Sequence, residues 1–259
     1  MSVPGYGDGP AWRRGPHPVY RRFAAAALDT LALPLAGLSA VDAGAGTGSL
    51  AEELATRGAR VVCADRSLTM VRQAPAPRVV CDVTALPLRD GCMDLATAGF
   101  VLSHVESPGA ALRVLAGVTR PGGLVVATGF RAGGAHPVKA AVDEVLTRAG
   151  YRPPEWYVRL KHTGEARVGD PAALATLAAE AGLADVRVLE CAPSLTGLDA
   201  DTVAAWRLGM AHVAPFVASL PPAARDRLTA RVTGAISAVA LAEPVQVLVL
   251  RGAARVIGH

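Results

Sequence analysis

Three aspartates stand where three successive apolar segments of the chain end. Asp42 lies in VDAGAGTGSL at residues 41–50, Asp65 closes the segment ARVVCAD, and Asp82 closes PRVVCD. If these segments are parallel strands, their carboxyl ends meet at one edge of a sheet, which is where ligands bind in such folds. A carboxylate attracts a cation and repels a pyrophosphate. Asp42, directly before the glycines, therefore predicts a site for a ligand that carries a positive charge.

The glycines after Asp42 favour close approach of a ligand to the backbone. Gly44, Gly46 and Gly48 recur at every second position, and glycine has no Cβ and can adopt positive φ. The dinucleotide fingerprint G-x-G-x-x-G needs a third glycine where this chain has Ser49, and no G-K-S or G-K-T sequence for a triphosphate follows. A nicotinamide-dependent dehydrogenase is therefore disfavoured.

The second and third acids suit the two halves of an adenosine. Asp65 follows the glycines by about 20 residues, the place from which an acid can accept hydrogen bonds from both ribose hydroxyls. Asp82 can accept from an adenine amino group while the backbone N–H of Val83 donates to a ring nitrogen. Combined with the preference for positive charge, this set predicts an adenosine with a cationic tail.

From residue 39 onward, short apolar segments alternate with helical segments. This alternation predicts a doubly wound α/β fold with a mostly parallel sheet. The predicted strands are SAVDAG, ARVVCAD, PRVVCD, MDLATAGF, GGLVVATGF, ADVRVLE and VQVLVLRGAARV. The predicted helices between them are SLAEELATRG, SLTMVRQ, GAALRVLAGVT and PAALATLAAEAG.

These segments resemble a known family. VDAGAGTGSL, Asp65 and the run CDVTALPLRDGCMDLATAGFVLSHVESPGAALRVLAGVTRPGGLVV are similar to the motifs of class I S-adenosylmethionine-dependent methyltransferases of the small-molecule type, such as the ubiquinone-biosynthesis methyltransferases. The resemblance is dense over residues 39–130 and beyond them covers only the order of elements. It implies a seven-stranded Rossmann-like sheet whose last strand, VQVLVL, is antiparallel, with S-adenosylmethionine as the cofactor.

The resemblance also implies roles for individual residues at the cofactor site. It implies that Asp65 binds the ribose and that Asp82 and Val83 bind the adenine. Arg66 would flank the face of the adenine, and Phe100 would form part of the pocket wall. A helix before the first strand would bring Tyr20 and Arg21 to the carboxylate of the cofactor. The residues expected to cradle the methionine end are Asp42, Gly44, Ala45 and Gly46.

One histidine is placed for proton transfer. His104, in VLSHVE, follows the fourth predicted strand and is expected near the transferred methyl group, where an imidazole can take a proton from an acceptor. Packing or structural hydrogen bonding is the alternative role. The fourth strand ends in AGF without a carboxylate, unlike the metal-dependent catechol-type methyltransferases, so no metal is expected.

The remaining segments predict an arm and two insertions. Residues 1–17 are rich in Gly and Pro and predict a flexible or ligand-ordered arm, and VYRRFAAAALDTLALPL predicts a helix ending near Pro34. We expect an arm and helix at residues 1–38, and the methyltransferase domain at 39–259 with helical cap segments at about 131–169 and 195–244. Aromatic residues in these caps are expected either to wall an acceptor pocket or to fill the core: Tyr151, Trp156, Tyr157, Trp206 and Phe216.

Composition excludes several partners. The net charge is +4, but the arginines are dispersed, which argues against a nucleic-acid footprint. No segment approaches the about 18–20 uninterrupted apolar residues of a membrane helix, and the N-terminus lacks the apolar stretch of a secretory signal. We expect a soluble, cytoplasmic protein with four free cysteines. The oligomeric state is left open.

The combined expectation is an enzyme that methylates an O, N or C atom of a small metabolite, in natural product biosynthesis. Its partner is a small-molecule acceptor, with neither nucleic acid nor membrane involved. The alternative is a cyclase or rearrangement catalyst in which bound S-adenosylmethionine is structural.

Overall fold

A seven-stranded sheet forms the centre of the protein. The computed structural model describes residues 6–255, and the strand order is β3-β2-β1-β4-β5-β7-β6. Pairings among the first five strands are parallel, and β7 runs antiparallel to both β5 and β6. This confirms the predicted fold class. The strands are β1 (Ser39–Ala43), β2 (Arg60–Asp65), β3 (Arg78–Val80), β4 (Met93–Gly99), β5 (Thr119–Phe130), β6 (Leu183–Cys191) and β7 (Val247–Ala254).

Helices cover both faces of the sheet and begin with local capping signals. Pro occupies the first turn of several, where its missing N–H would be unpaired anyway, and Ser107, Asp170 and Asp199 cap α5, α9 and α10 through side-chain oxygens. The helices are α1 (Gly9–Arg14), α2 (Pro16–Asp29), α3 (Ser49–Thr56), α4 (Leu68–Val71), α5 (Pro108–Val118), α6 (Pro137–Arg148), α7 (Glu155–Arg159), α8 (Glu165–Val168), α9 (Pro171–Glu180), α10 (Ala200–Leu208), α11 (Ala214–Ser219) and α12 (Pro222–Ser237).

The apolar core lies in layers on the two faces of the sheet. Successive strand residues point to opposite faces, so Val41 joins Leu112 and Leu115 of α5 in one buried cluster, whereas Ala40 joins Leu54 of α3 in the other. Burial of each such leucine side chain stabilises the folded state by about 1.5–3 kcal/mol, because its apolar surface is removed from water. The sheet is therefore held rigidly between helices, which fixes the positions of its strand ends.

The described part of the N-terminal arm is helical from Gly9, in a segment for which the sequence predicted a flexible or ligand-ordered arm. Asp8 caps α1 by accepting a hydrogen bond from the backbone N–H of Ala11 at 2.9 Å. A Cβ at Gly9 would lie 1.9 Å from the backbone oxygen of Thr69, so glycine is what allows α1 to pack directly on α4. Tertiary packing orders this segment although its own sequence has no apolar period. Residues 1–5 of the predicted arm lie outside the described range.

The helix predicted to end near Pro34 ends earlier. Its last residue is Asp29, and the following turn includes Ala32 with a φ of +50°. The residue before a proline is biased away from the α region, and here the chain leaves the helix several residues before Pro34. The result is a loop that turns the chain directly into β1.

The two segments predicted as caps carry the helices α6–α8 and α10–α12. With α2 they form a third apolar cluster that includes Val19, Phe23, Val142, Trp206 and Val232. The division into an arm, a domain and caps stays a prediction. None of the helices within residues 6–255 is long and apolar enough to cross a membrane.

Candidate active site

A cavity of about 490 Å³ opens at the carboxyl ends of β1, β2 and β4. The segment between β1 and α3 lines it on one side, and the described part of the arm lines it on another. The structure brings to this cavity most of the residues predicted from the sequence, namely Tyr20, Gly44, Ala45, Gly46, Asp65, Arg66, Asp82, Val83, Phe100 and His104. The other two predicted site residues, Asp42 and Arg21, do not line it.

The glycine loop is held against β2 by the backbone. The N–H groups of Gly44 and Ala45 both donate to the carbonyl of Ala64, at 2.8 and 2.9 Å. Gly44 has a φ of +73°, and a Cβ there would lie 2.5 Å from the Val101 side chain. Glycine at this position therefore allows the loop to pass close to the end of β4 and leaves the cavity open.

Asp65 is fixed by two backbone donors. Its Oδ2 accepts from the N–H of Gly46 at 2.8 Å, and its Oδ1 accepts from the N–H of Ser67 at 2.7 Å. Burial raises the pKa of Asp65, while these two N–H groups lower it. Each oxygen retains capacity for a further hydrogen bond, so the carboxylate is oriented to accept from two neighbouring hydroxyls.

Asp82 and Val83 occupy the end of the next strand. The Oδ1 of Asp82 accepts from the hydroxyl and the backbone N–H of Thr84, at 2.7 and 2.9 Å, and these bonds lower the pKa of Asp82. Val83 is buried in the cavity wall. Asp82 is therefore ionised at neutral pH and can accept hydrogen bonds. It lies next to the backbone N–H of Val83, a residue whose position is fixed by burial.

Arg21, which the resemblance assigned to the cofactor, forms ion pairs with another part of the protein in this structure. Its Nη2 lies 2.7 Å from Oε1 of Glu53, and its Nε lies 3.4 Å from Oε2 of Glu52. Glu52 also pairs with Arg13 and with His17. Because α2 packs on α3, Arg21 lies close to these acids, and its ion pairs join the two helices.

His104 lies where the cavity meets a second one. Its side chain lines both cavities, and Nε2 lies 3.4 Å from the hydroxyl of Tyr6. Nδ1 is buried and has no hydrogen-bond partner within residues 6–255. Burial, with a smaller effect of Arg66, lowers the pKa of His104 to about 4. The imidazole is therefore neutral at physiological pH and able to accept a proton.

Tyr6 is the main site residue that the sequence prediction missed. The hydroxyl of Ser67 donates to its carbonyl at 2.9 Å, which ties the arm to the end of β2. Its ring lies 5.2 Å from that of Trp12, which in turn lies 5.7 Å from that of Tyr20. The available signal was the presence of two aromatic residues in the otherwise Gly- and Pro-rich segment GYGDGPAW.

Other lining residues were also missed, because they are small or apolar and their types carry no chemical signal. They are Gly7, Ala24, Thr47, Ser49, Leu50, Ser67, Met70, Cys81, Val101, Val105 and Thr128. Five of them are adjacent in sequence to a predicted site residue, namely Thr47, Ser67, Cys81, Val101 and Val105.

Comparison with known proteins identifies the family. Residues 41–127 match the methyltransferase domain family. The demethylmenaquinone methyltransferase of Mycolicibacterium vanbaalenii is 36% identical over 174 residues, which cover 63% of this chain and 76% of that protein. This chain belongs to the class I S-adenosylmethionine-dependent methyltransferases. The resemblance inferred from the sequence is thereby confirmed, and S-adenosylmethionine is the cofactor of this methyltransferase.

Solved structures agree on the fold of this methyltransferase. A phosphoethanolamine N-methyltransferase of Haemonchus contortus, in complex with S-adenosylhomocysteine, aligns with a TM-score of 0.55 at 16% identity, over 90% of this chain and 52% of that one. The cyclase SpnF aligns with a TM-score of 0.54 at 19% identity, over 91% of this chain and 82% of that one. At such identities the likeness shows the fold alone.

Asp42, which was predicted to contact the cofactor directly, lies beneath the first cavity and does not line it. It is 1% exposed, and its Oδ1 accepts from the hydroxyl of Thr97 at 3.0 Å. Its Oδ2 has no hydrogen-bond partner among the residues that the structure describes. Burial raises the pKa of Asp42 to about 7, although Thr97 and the backbone N–H of Ala51 oppose the rise. An unsatisfied buried carboxylate under the glycine loop suits a cofactor with a cationic tail.

We expect the binding of S-adenosylhomocysteine, which carries an ammonium group, to depend on the protonation of Asp42. Its pKa is about 7 in the free protein, and a nearby cation lowers the pKa of a carboxyl group. Binding therefore strengthens as pH rises, and affinity measured by calorimetry falls by about tenfold from pH 8 to pH 6. Asp42→Asn should flatten this dependence. An equal slope in the variant would assign the proton to another group.

A second cavity, of about 160 Å³, adjoins the first. Tyr6, Tyr20, Phe100 and His104 line both cavities, so the two meet at these residues. Ser103, Phe130 and Gln246 line it as well. Residues of the caps form most of the remaining wall and include Trp156, Tyr157 and Trp206, whereas Tyr151 and Phe216 do not line it. Within residues 6–255 there is no group of three or more His, Cys, Asp or Glu side chains arranged to hold a metal ion.

Proposed function

We propose that this methyltransferase transfers a methyl group from S-adenosylmethionine to an O, N or C atom of a small aromatic metabolite of secondary metabolism. The observation that carries this proposal is the junction of the two cavities at His104. One cavity has the volume and the acids for the cofactor, and the other has aromatic walls for an acceptor. The relative at 36% identity is a demethylmenaquinone methyltransferase by name, which supports a flat, quinone-like acceptor.

For the cofactor, we propose contacts that follow from the geometry of the cavity. Asp65 accepts from the ribose hydroxyls, Asp82 and the N–H of Val83 bind the adenine edge, and Arg66 flanks the adenine. Gly44, Ala45 and Gly46 lie along the methionine end, with Asp42 balancing its charge from below. Tyr20 and Phe100, whose ring centroids are 5.2 Å apart, separate the cofactor from the acceptor cavity.

The bound cofactor supplies an electrophilic methyl group for in-line displacement. The protein holds the acceptor close to that group and excludes water with Tyr6 and Trp12 of the arm, and alignment of this kind contributes several kcal/mol. His104 takes the proton of an O–H or N–H acceptor as a neutral imidazole. For this step the imidazole carries its own hydrogen on Nε2, which donates to the hydroxyl oxygen of Tyr6 and holds the ring in place. Nδ1, which has no hydrogen-bond partner within residues 6–255, is then the atom that accepts the proton. The hydroxyl of Tyr6 stays protonated, because burial raises its pKa.

The function is tested by incubating the protein with S-adenosylmethionine labelled in its methyl group and a panel of naphthoquinols, phenols and aromatic amines. We expect a labelled product that is heavier than its acceptor by one CH₂ unit, as measured by mass spectrometry. The same panel with Asp65→Ala serves as the control for cofactor-dependent turnover. A product of unchanged mass would instead indicate cyclisation or rearrangement, and labelled protein without labelled product would indicate self-methylation. The cytoplasmic location stays a prediction.

A further inference from the structure

The second cavity contains buried hydrogen-bond donors that lack acceptors. Trp206 and Arg207 are consecutive residues of α10, both line the cavity, and each is 6% exposed. The Nε1 of Trp206 and the Nε and Nη2 of Arg207 have no hydrogen-bond partner within the described range of residues. An indole N–H and a guanidinium can only donate. Buried donors are rarely left unpaired, so these three groups point to an oxygen-bearing ligand.

The charges around this cavity leave one positive charge in excess. Lys161 pairs with Glu165, and Arg131 pairs with Glu190. Lys139 pairs with Asp143, whose Oδ1 is also 3.6 Å from Nη2 of Arg207, beyond hydrogen-bonding distance. One carboxylate is thus shared between two cations. A ligand with a single negative charge would balance this part of the wall.

A neutral aromatic surface lies in the same cavity. The rings of Tyr157 and His212 are stacked, with centroids 3.6 Å apart and planes inclined by 4°. Burial, together with Arg207, Lys139 and Lys161, lowers the pKa of His212 to about 3, so this histidine adds no positive charge at neutral pH. The wall therefore offers a flat apolar face close to one strongly cationic group.

We propose that the second cavity selects aromatic acceptors bearing one anionic oxygen group, which Arg207 and the indole N–H of Trp206 bind. This proposal rests on the proposed function, because it places the acceptor in the second cavity. A guanidinium has a planar fork that matches a carboxylate in two parallel hydrogen bonds and also suits an ionised hydroxyl. Arg207 is then a specificity-determining residue that anchors the end of the acceptor remote from the transferred methyl group.

The test compares two probes of nearly equal shape, naphthoate and naphthamide, titrated by calorimetry into the protein saturated with S-adenosylhomocysteine. We expect the parent protein to bind naphthoate at least about tenfold more tightly than naphthamide, the scale of hydrogen bonds to a charged group. Arg207→Gln should reduce this preference to within about twofold, and Trp206→Phe should weaken both probes by about threefold. Arg231→Gln, an exposed arginine on α12 outside both cavities, should keep the full preference.

Several outcomes would overturn the proposal. Equal affinity of the parent protein for both probes, no saturable binding of naphthoate, or a full preference retained by Arg207→Gln would each exclude Arg207 as the anion anchor. If Arg207→Gln does not fold, Arg207→Lys is used instead, because lysine keeps the positive charge but lacks the planar fork of the guanidinium. Its preference for naphthoate over naphthamide should then lie between about twofold and about tenfold. Affinity for naphthol, measured at pH values below and above the pKa of its hydroxyl, shows whether the site binds a phenolate as well as a carboxylate.

The same titrations separate failure of this inference from failure of the proposed function. Binding of S-adenosylhomocysteine reports on the first cavity alone, since neither Trp206 nor Arg207 lines it. Retained cofactor binding without any preference between the probes would exclude only the anionic acceptor. Loss of cofactor binding in the parent protein would instead exclude the methyltransferase site.

Discussion

His104→Ala is expected to slow methyl transfer to an O–H or N–H acceptor by about a hundredfold, the lower end of the usual contribution of a positioned general base, because a base whose pKa lies well below the operating pH accepts a proton less readily. The imidazole lies at the junction of the two cavities and is neutral at physiological pH, since burial lowers its pKa to about 4. Single-turnover kinetics with saturating cofactor measure this step directly. Affinity for S-adenosylhomocysteine should change little, which separates a chemical defect from a binding defect.

The pH dependence gives a second measurement of the same group. A base with a pKa of about 4 is protonated and inactive below that value, so kcat/KM for the acceptor, measured at saturating cofactor, should rise with pH through about 4 and be level near neutrality. An ordinary histidine would place the rise near pH 6.5. Tyr6→Phe, which removes the hydroxyl 3.4 Å from Nε2, serves as a matched variant that keeps the imidazole. Single-turnover rates of His104→Ala equal to those of the parent at every pH would leave His104 a purely structural role.

Asp65→Ala should weaken S-adenosylmethionine binding by about 1.5–3 kcal/mol, or roughly tenfold to 150-fold. The substitution removes the carboxylate that we propose accepts from two ribose hydroxyls, and it also releases the N–H groups of Gly46 and Ser67, which position that carboxylate beside the glycine loop. Calorimetry at fixed pH gives the affinity, and thermal unfolding shows whether the variant is folded.

A matched control for this substitution is Asp226→Ala, which removes an exposed carboxylate on α12 that lines neither cavity. Its affinity should equal that of the parent protein. Unchanged affinity in a folded Asp65→Ala variant would mean that the ribose hydroxyls bind elsewhere, and the acids at the strand ends would lose their proposed role.

The cofactor half of the site was largely predictable because its parts lie at strand ends. The strands of a doubly wound sheet are identified by short apolar segments, and the topology places their carboxyl ends together. Gly46 and Asp65 therefore meet, although they lie on different strand-to-helix segments. The same reasoning placed Asp82 and Val83, as well as Phe100 at the end of β4.

Asp42 and Arg21 show where this reasoning stops. Both are charged residues close in sequence to the site, but the partner of a charged side chain depends on which elements pack against it. Arg21 is nearest to acids on α3 because α2 packs on that helix. Asp42 lies within the sheet, where Thr97 of the neighbouring strand is its partner. Neither distance follows from the spacing of residues in the chain.

By itself, the sequence determined the order of strands and helices, the class of fold and the nature of the cofactor. The order of elements and the fold class follow from apolar periodicity, and an adenosine with a cationic tail follows from chemical groups at strand ends, which are local features. The resemblance of these segments to a known family implied that this ligand is S-adenosylmethionine. Only the tertiary structure decided that the described part of the arm is helical, that Tyr6 meets His104 across 98 positions, and that Arg207 and Trp206 share a cavity with unpaired donors. Such contacts join segments far apart in the chain, and their formation depends on the packing of the whole core.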